Sequence, residues 1–134
     1  MSSVYFTDAI ETCLRRYATF EGRAIRSEYW FFLLFTILAS IGGALLDAAI
    51  FPDDFVASPL NTLVSLALLL PSLAAGVRRL HDSNRNGWWL LIGILPLVGW
   101  LVLLIWLCRR GDAGPNRFGP DPLASSFLAS VRIA

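Results

Sequence analysis

Residues 88–107 read WWLLIGILPLVGWLVLLIWL, twenty positions without a charge. A bilayer's hydrocarbon core is about 30 Å thick, so roughly 20 apolar residues make one crossing helix, and this run is long enough. Its middle is less simple, because Pro96 stands between Gly93 and Gly99. A proline in a membrane helix more often kinks it than breaks it, since neighbouring groups re-satisfy the freed carbonyl. With glycine on both sides it can also turn the run into a hairpin that re-enters. Three crossings are therefore expected, with a third segment kinked or re-entrant at Pro96 as the alternative.

Two more runs of this kind precede it. Residues 29–50 read YWFFLLFTILASIGGALLDAAI and residues 59–77 read PLNTLVSLALLLPSLAAGV. Both are hydrophobic most of the way round, as buried or lipid-facing helices are. The composition agrees: of 134 residues, 56% are hydrophobic and 16% charged, against about 45–50% and about 25% in ordinary soluble domains. The length allows one compact unit. The expected fold is an all-α membrane protein with about three transmembrane helices, preceded by an amphipathic helix at the interface. Residues 1–20 form that helix, 21–122 the multi-spanning domain with its boundary tail, and 123–134 a C-terminal tail.

The N-terminus does not read as a signal peptide, because Asp8, Glu11, Arg15 and Arg16 interrupt it. Phe6, Ile10, Cys13, Leu14 and Tyr17 recur instead at helical spacing, with Asp8, Glu11, Thr12, Arg15 and Arg16 opposite. Such a helix lies in the headgroup plane or packs on a partner. Cytoplasmic loops carry the excess of Lys and Arg, and here all basic residues are Arg. Arg15, Arg16, Arg23 and Arg26 precede the first span, and Arg78, Arg79 and Arg85 follow the second; the loop between them holds Asp53 and Asp54. The N-terminus is therefore expected in the cytoplasm. The side of the tail, with Arg109, Arg110 and Arg117, depends on whether the third segment crosses.

Membrane helices associate through small residues that let backbones approach. Ser40 and Gly43 lie on one stripe of the first span with Thr36 and Asp47. Asn61, Ser65, Ser72 and Gly76 lie on another along the second, and the two stripes are expected to face each other or a partner chain. Asp47, close to the acidic loop, reads as an end-of-helix acid solvated by water and headgroups. Cys13 and Cys108 fit no disulfide framework or metal cluster, and the pattern points to no catalytic, cofactor or metal residue.

Three polar motifs flank the spans. Gly22-Arg23-Ala24-Ile25-Arg26-Ser27-Glu28-Tyr29-Trp30 leads into the first, with Ser27 placed to cap the helix and Glu28 to complement its positive end. Arg78-Arg79-Leu80-His81-Asp82 runs on through Asn86-Gly87 to Trp88-Trp89. Asn116-Arg117-Phe118-Gly119-Pro120-Asp121-Pro122 closes the set, too turn-rich to be helical. These motifs, in this order and over about Phe20 to Pro122, resemble the small bacterial inner-membrane family known as domain of unknown function 805, the YhaH/YhaI-like proteins. The resemblance implies a multi-spanning inner-membrane protein of bacterial type and no particular reaction.

Two uses of the motifs are expected. Arg23, Arg26, Arg78, Arg79 and Arg85 are candidates for contact with anionic lipid or an acidic partner, each worth about 1 kcal/mol near an anionic surface. Glu28, His81, Asp82, Asn116, Arg117 and Asp121 are candidates for a structural polar cluster, which requires the tail to share their side. The resulting expectation is a non-enzymatic scaffold or accessory subunit, in a homo-oligomer or larger membrane complex, binding no nucleic acid. A small transporter or channel subunit lined by Asp47, Asn61 and Ser65 is the alternative. A third reading is an interfacial lipid-headgroup enzyme with His81 as base and Asp82 as its orienter, although no second His or recognisable nucleophile supports it.

Overall fold

The computed structural model describes residues 5–54 and 58–133. It is helical throughout: α1 (Phe6–Arg15), α2 (Arg26–Ile50), α3 (Pro59–Asp82), a 3-10 helix (Gly87–Ile94), α4 (Val98–Cys108) and α5 (Pro122–Ile133). Among the described residues the β-type pairing is a single bridge between Asn116 and Gly119.

The first two spans form as their composition dictates. α2 has 25 residues and, at 1.5 Å per residue, reaches about 37 Å; α3 has 24. They are the two described helices long and apolar enough to cross a membrane. They pack against each other, yet Leu34, Ile37, Leu38, Ile41, Leu63 and Leu66 remain exposed. So much contiguous apolar surface is compatible with lipid and costly in water. α3 runs past Val77 to Asp82, so Arg78, Arg79, His81 and Asp82 sit on its last turns rather than in a loop. The N-cap of α2 is Ile25, without a side-chain cap bond, so Ser27 lies inside the helix and makes no cap.

Asp47 is buried rather than solvated. Its Oδ1 accepts from the Leu60 amide at 2.9 Å and its Oδ2 from the Asn61 amide at 2.8 Å. These are free donors of the first turn of α3, so a carboxylate on α2 caps the neighbouring helix. Gly43 packs directly on the Asn61 backbone, whereas Gly76 faces Leu90 of the 3-10 helix and Tyr29. Ser40 and Ser72 are half-buried, and Ser65 is exposed, outside the helix contact. Farther along, Phe32 and Ala75 form a small core with Cys13, flanked by Tyr29, Phe35 and Leu68.

The third apolar segment is not one helix but two short arms joined by a turn, so three helices of crossing length are not present among the described residues. The 3-10 helix has 8 residues and spans about 16 Å at 2.0 Å per residue. α4 has 11 residues and is of similar length. Neither matches a bilayer core of about 30 Å. Between them Leu97 takes φ 65° and ψ −70°, and the Val98 amide donates to the Pro96 carbonyl at 2.8 Å, a γ-turn. The arms then pack on each other: the Trp100 indole donates to the Gly93 carbonyl at 2.8 Å, and Trp89 meets Trp106 edge-on at 5.6 Å. Gly99 permits the closure, since a Cβ there would stand 1.8 Å from the Ile92 carbonyl oxygen. The chain therefore leaves the hairpin at the end where it entered.

α1 occupies part of the span expected to be amphipathic. Its Ala9 and Cys13 are fully buried on the bundle, and Phe6 meets Phe31 edge-on at 6.0 Å. The opposite face carries an exposed Arg15–Glu11 pair. The Tyr17 hydroxyl, just beyond, donates to the Ala67 carbonyl.

A positive φ at a leucine stores about 1–3 kcal/mol of strain, and Leu97 is three-quarters exposed, so little packing depends on it. Leu97→Gly is expected to raise the thermal midpoint in detergent, by the equivalent of about 1 kcal/mol. Gly99→Val is expected to lower it.

Candidate functional site

The polar motifs meet at one end of the bundle, around the last turn of α3. Asp82 lies at the centre and is shared by two arginines. Arg23 Nε donates to its Oδ1 at 2.9 Å and Arg79 Nη1 to its Oδ2 at 2.7 Å. All three side chains are at most about a twentieth exposed. The remaining guanidinium donors turn to backbone carbonyls. Arg23 donates to Asp112 at 2.6 Å and Gly114 at 2.7 Å. Arg79 donates to Leu107 at 3.1 Å and to Arg109. The Asp112 amide returns a bond to the Asp82 carbonyl at 2.8 Å. Gly111 makes the approach possible, because a Cβ there would stand 1.9 Å from Asp82 Oδ2; sequence reasoning missed this residue, whose only signal is a glycine directly after Arg109-Arg110.

His81 and the tail close the outer side of this knot. The His81 ring donates from Nδ1 to the Gly22 carbonyl at 3.0 Å and stacks flat on Phe118, with centroids 3.8 Å apart. Asn116 donates to the His81 carbonyl at 2.9 Å. Arg117 lies over Phe118 at 4.7 Å and donates to the Asn84 carbonyl at 3.2 Å. Asp121 accepts from the amides of Gly114 and Leu123, both at 3.0 Å, and so caps α5 while fixing the preceding turn. Partial burial pushes the Asp121 carboxyl up, but these amides and Arg23 outweigh it and hold it below the ordinary 3.8. This clasp is therefore complete above the ordinary carboxyl value and is lost as the pH falls through the lowered native one.

A second buried pair lies beside the first. Arg78 Nη1 meets Glu28 Oε1 at 2.6 Å, and both groups contact Cys13 at 3.8 and 3.9 Å. Burial, with the Glu28 charge, pushes the Cys13 thiol up to about 11, so it stays protonated and unreactive at neutral pH. Glu28, expected in one cluster with His81, Asp82, Asn116, Arg117 and Asp121, instead forms this separate pair with Arg78.

This geometry corrects three expectations. Arg23, Arg78 and Arg79 do not line a face open to lipid or a partner: they are buried and directed at the protein's own acids and carbonyls. Arg26 is exposed and donates to the Cys108 carbonyl at 3.3 Å, and Arg85 is half-buried. The His81–Asp82 pair required for a base and its orienter is not formed, since His81 Nδ1 is used by Gly22 and Asp82 by the two arginines. Asp47, with both oxygens occupied at the far end, does not line a path with Asn61 and Ser65. No group of His, Cys, Asp and Glu among the described residues is placed to hold a metal ion.

Removing one partner of a buried ion pair leaves an uncompensated charge and costs about 3–5 kcal/mol. Asp82→Asn leaves two guanidiniums with one neutral acceptor and is expected to destabilise the fold by that order. Cys13 reports it. In the native protein maleimide should label exposed Cys108 and spare Cys13; in Asp82→Asn, Cys13 labelling should become fast. Protection equal to that of the native chain would show that Asp82 does not hold this end together.

The family model described as "Protein of unknown function (DUF805)" matches residues 17–120, which include the knot and the hairpin. The chain is 43% identical over 109 residues to inner membrane protein YhaI of Escherichia coli (strain K12), covering 81% of this chain and 90% of that one. It is 40% identical over 110 residues to inner membrane protein YhaH of the same strain, covering 81% and 91%. No solved structure matches. Matched over this much of its length, the chain belongs to the DUF805 family of proteins of unknown function.

Proposed function

We propose that the protein is a multi-pass protein of the bacterial inner membrane that works as a non-enzymatic scaffold or accessory subunit. In this reading α2 and α3 cross, the hairpin re-enters, and the N-terminus, the knot and the tail share the cytoplasmic side. α1 then lies at the interface, with its buried face on the bundle and its charged face toward headgroups. The names of the E. coli relatives support the membrane. One observation carries the rest: the knot uses its buried arginines internally, while a second set of arginines surrounds it in the open. Arg15, Arg16, Arg26, Arg109, Arg110 and Arg117 are exposed at or near this end, and the opposite loop carries Asp53 and Asp54. Such asymmetry favours the basic end inside and attracts anionic lipid, at about 1 kcal/mol per arginine near the surface.

The proposal assigns no catalytic, cofactor or metal residue. Two crossing helices and a hairpin bury little surface, so the reading includes assembly with further copies or within a larger membrane complex. Nucleic acid has no place in it, because the basic groups follow the membrane boundary.

Two measurements test the proposal. Green fluorescent protein fused after the last residue should fluoresce and alkaline phosphatase at the same point should stay inactive; the reverse would place the tail outside. In nanodiscs, raising the phosphatidylglycerol fraction should raise the thermal midpoint, and a variant with Arg16, Arg109 and Arg110 changed to Gln should lose most of that gain. An undiminished gain would overturn the lipid role of the exposed arginines.

A further inference from the structure

Arginines at the basic end differ in what balances them. Arg15 pairs with Glu11, Arg78 with Glu28, and Arg23 and Arg79 share Asp82. Arg85, in the turn between α3 and the hairpin, pairs with no carboxylate among the described residues. Its amide is fixed to the Leu80 carbonyl at 2.9 Å. Its guanidinium carbon lies 4.3 Å from the centroid of the Trp106 ring, and Trp106 is itself braced edge-on by Trp89.

Stacking uses the flat face of a guanidinium and leaves its N–H donors free around the rim. Here the rim has no protein acceptor among the described residues. Nε is shielded from solvent and has no hydrogen-bond partner, an arrangement that is costly for a charged group. The two Nη nitrogens have no partner either and are not shielded. The charge is thus held over the Trp106 ring, partly desolvated and unpaired with any carboxylate among the described residues.

We propose that Arg85 anchors a phosphate site at the bilayer boundary. The two Nη groups hold two oxygens of one phosphodiester, in the parallel geometry that guanidinium and phosphate share. Trp88, Trp89 and Trp106 stand at the same end of the hairpin, the depth at which aromatic side chains meet headgroups. The site rests on the membrane reading above and narrows its ligand class from a diffuse negative surface to one phosphate. A lipid headgroup and free phosphate present the same chemistry, and the test separates them.

The detergent-solubilised chain is titrated with phosphatidylglycerol, and the bound lipid counted by native mass spectrometry. Oleate and inorganic phosphate serve as separate arms. The native chain should retain one phosphatidylglycerol, and Arg85→Gln should bind it about tenfold more weakly, with Cys13 still protected from maleimide as proof of fold. Arg85→Lys, which keeps the charge but not the planar edge, should also weaken binding. Inorganic phosphate that fails to displace the lipid assigns the site to a headgroup; displacement at similar concentration assigns it to free phosphate. Equal lipid affinity in the native chain and Arg85→Gln overturns the proposal, as does oleate bound as tightly as phosphatidylglycerol. If Arg85→Gln binds normally while the nanodisc gain persists, this site fails and the wider reading stands; loss of that gain in the native chain removes the wider reading.

Discussion

One carboxylate shared by two buried guanidiniums fixes the topology. Each guanidinium carries about five N–H donors, and one aspartate satisfies only a few of them. Burying these charges is tolerable only if the other donors find acceptors. The carbonyls of Leu107, Arg109, Asp112 and Gly114 supply them. All four lie at or beyond the end of the hairpin's second arm, so the chain must come back to Asp82 once it has passed Trp106. A third full crossing would carry those carbonyls to the far side of a core about 30 Å thick and leave several buried donors of Arg23 and Arg79 without acceptors, although Asp82 would remain. The γ-turn strain at Leu97 is therefore small beside what the return of the chain stabilises.

This dependence explains what could be read from the sequence and what could not. Apolar run length locates α2 and α3 within a few residues, because the bilayer imposes a length and a composition on any spanning helix. The motifs around Arg23, Asp82 and Asn116 stand out because polar residues at the boundary of an apolar chain need a reason to be there. Their destination was less legible. An arginine beside a span defaults to a headgroup, and nothing local distinguishes Arg79, turned inward to Asp82, from Arg110, exposed to solvent. That difference lies in carbonyls some thirty residues away along the chain, which carry no side-chain signature. The hairpin was hidden for a related reason: Pro96 and its flanking glycines permit a kink and a reversal alike, and the acceptors that decide between them are backbone groups.

The two ends of the bundle solve the same problem differently. At the acidic end the free amides of α3 need an acceptor, and Asp47 on α2 provides both oxygens. One buried acid there ties two helices through both of its oxygens. At the basic end the surplus is of donors, and the backbone of the hairpin and tail absorbs it. The fold thus places its irregular tail where arginines can hold it. The regular helix-to-helix packing, with Gly43 on Asn61, sits where one carboxylate suffices.

Arginine consequently does two kinds of work in this chain, and balance of charge separates them. A guanidinium with a carboxylate and carbonyls around it is satisfied; another anion could approach only by breaking bonds already made. Arg23 and Arg79 are of this kind, and their loss would be felt as instability whatever the protein binds. A guanidinium held over an aromatic ring without a carboxylate beside it is placed but not balanced, and an approaching anion meets donors not already spent. Arg85 is in that state while lying only a few residues from Asp82. The site that builds the structure and the site available for recognition are therefore adjacent in sequence but distinct in chemistry.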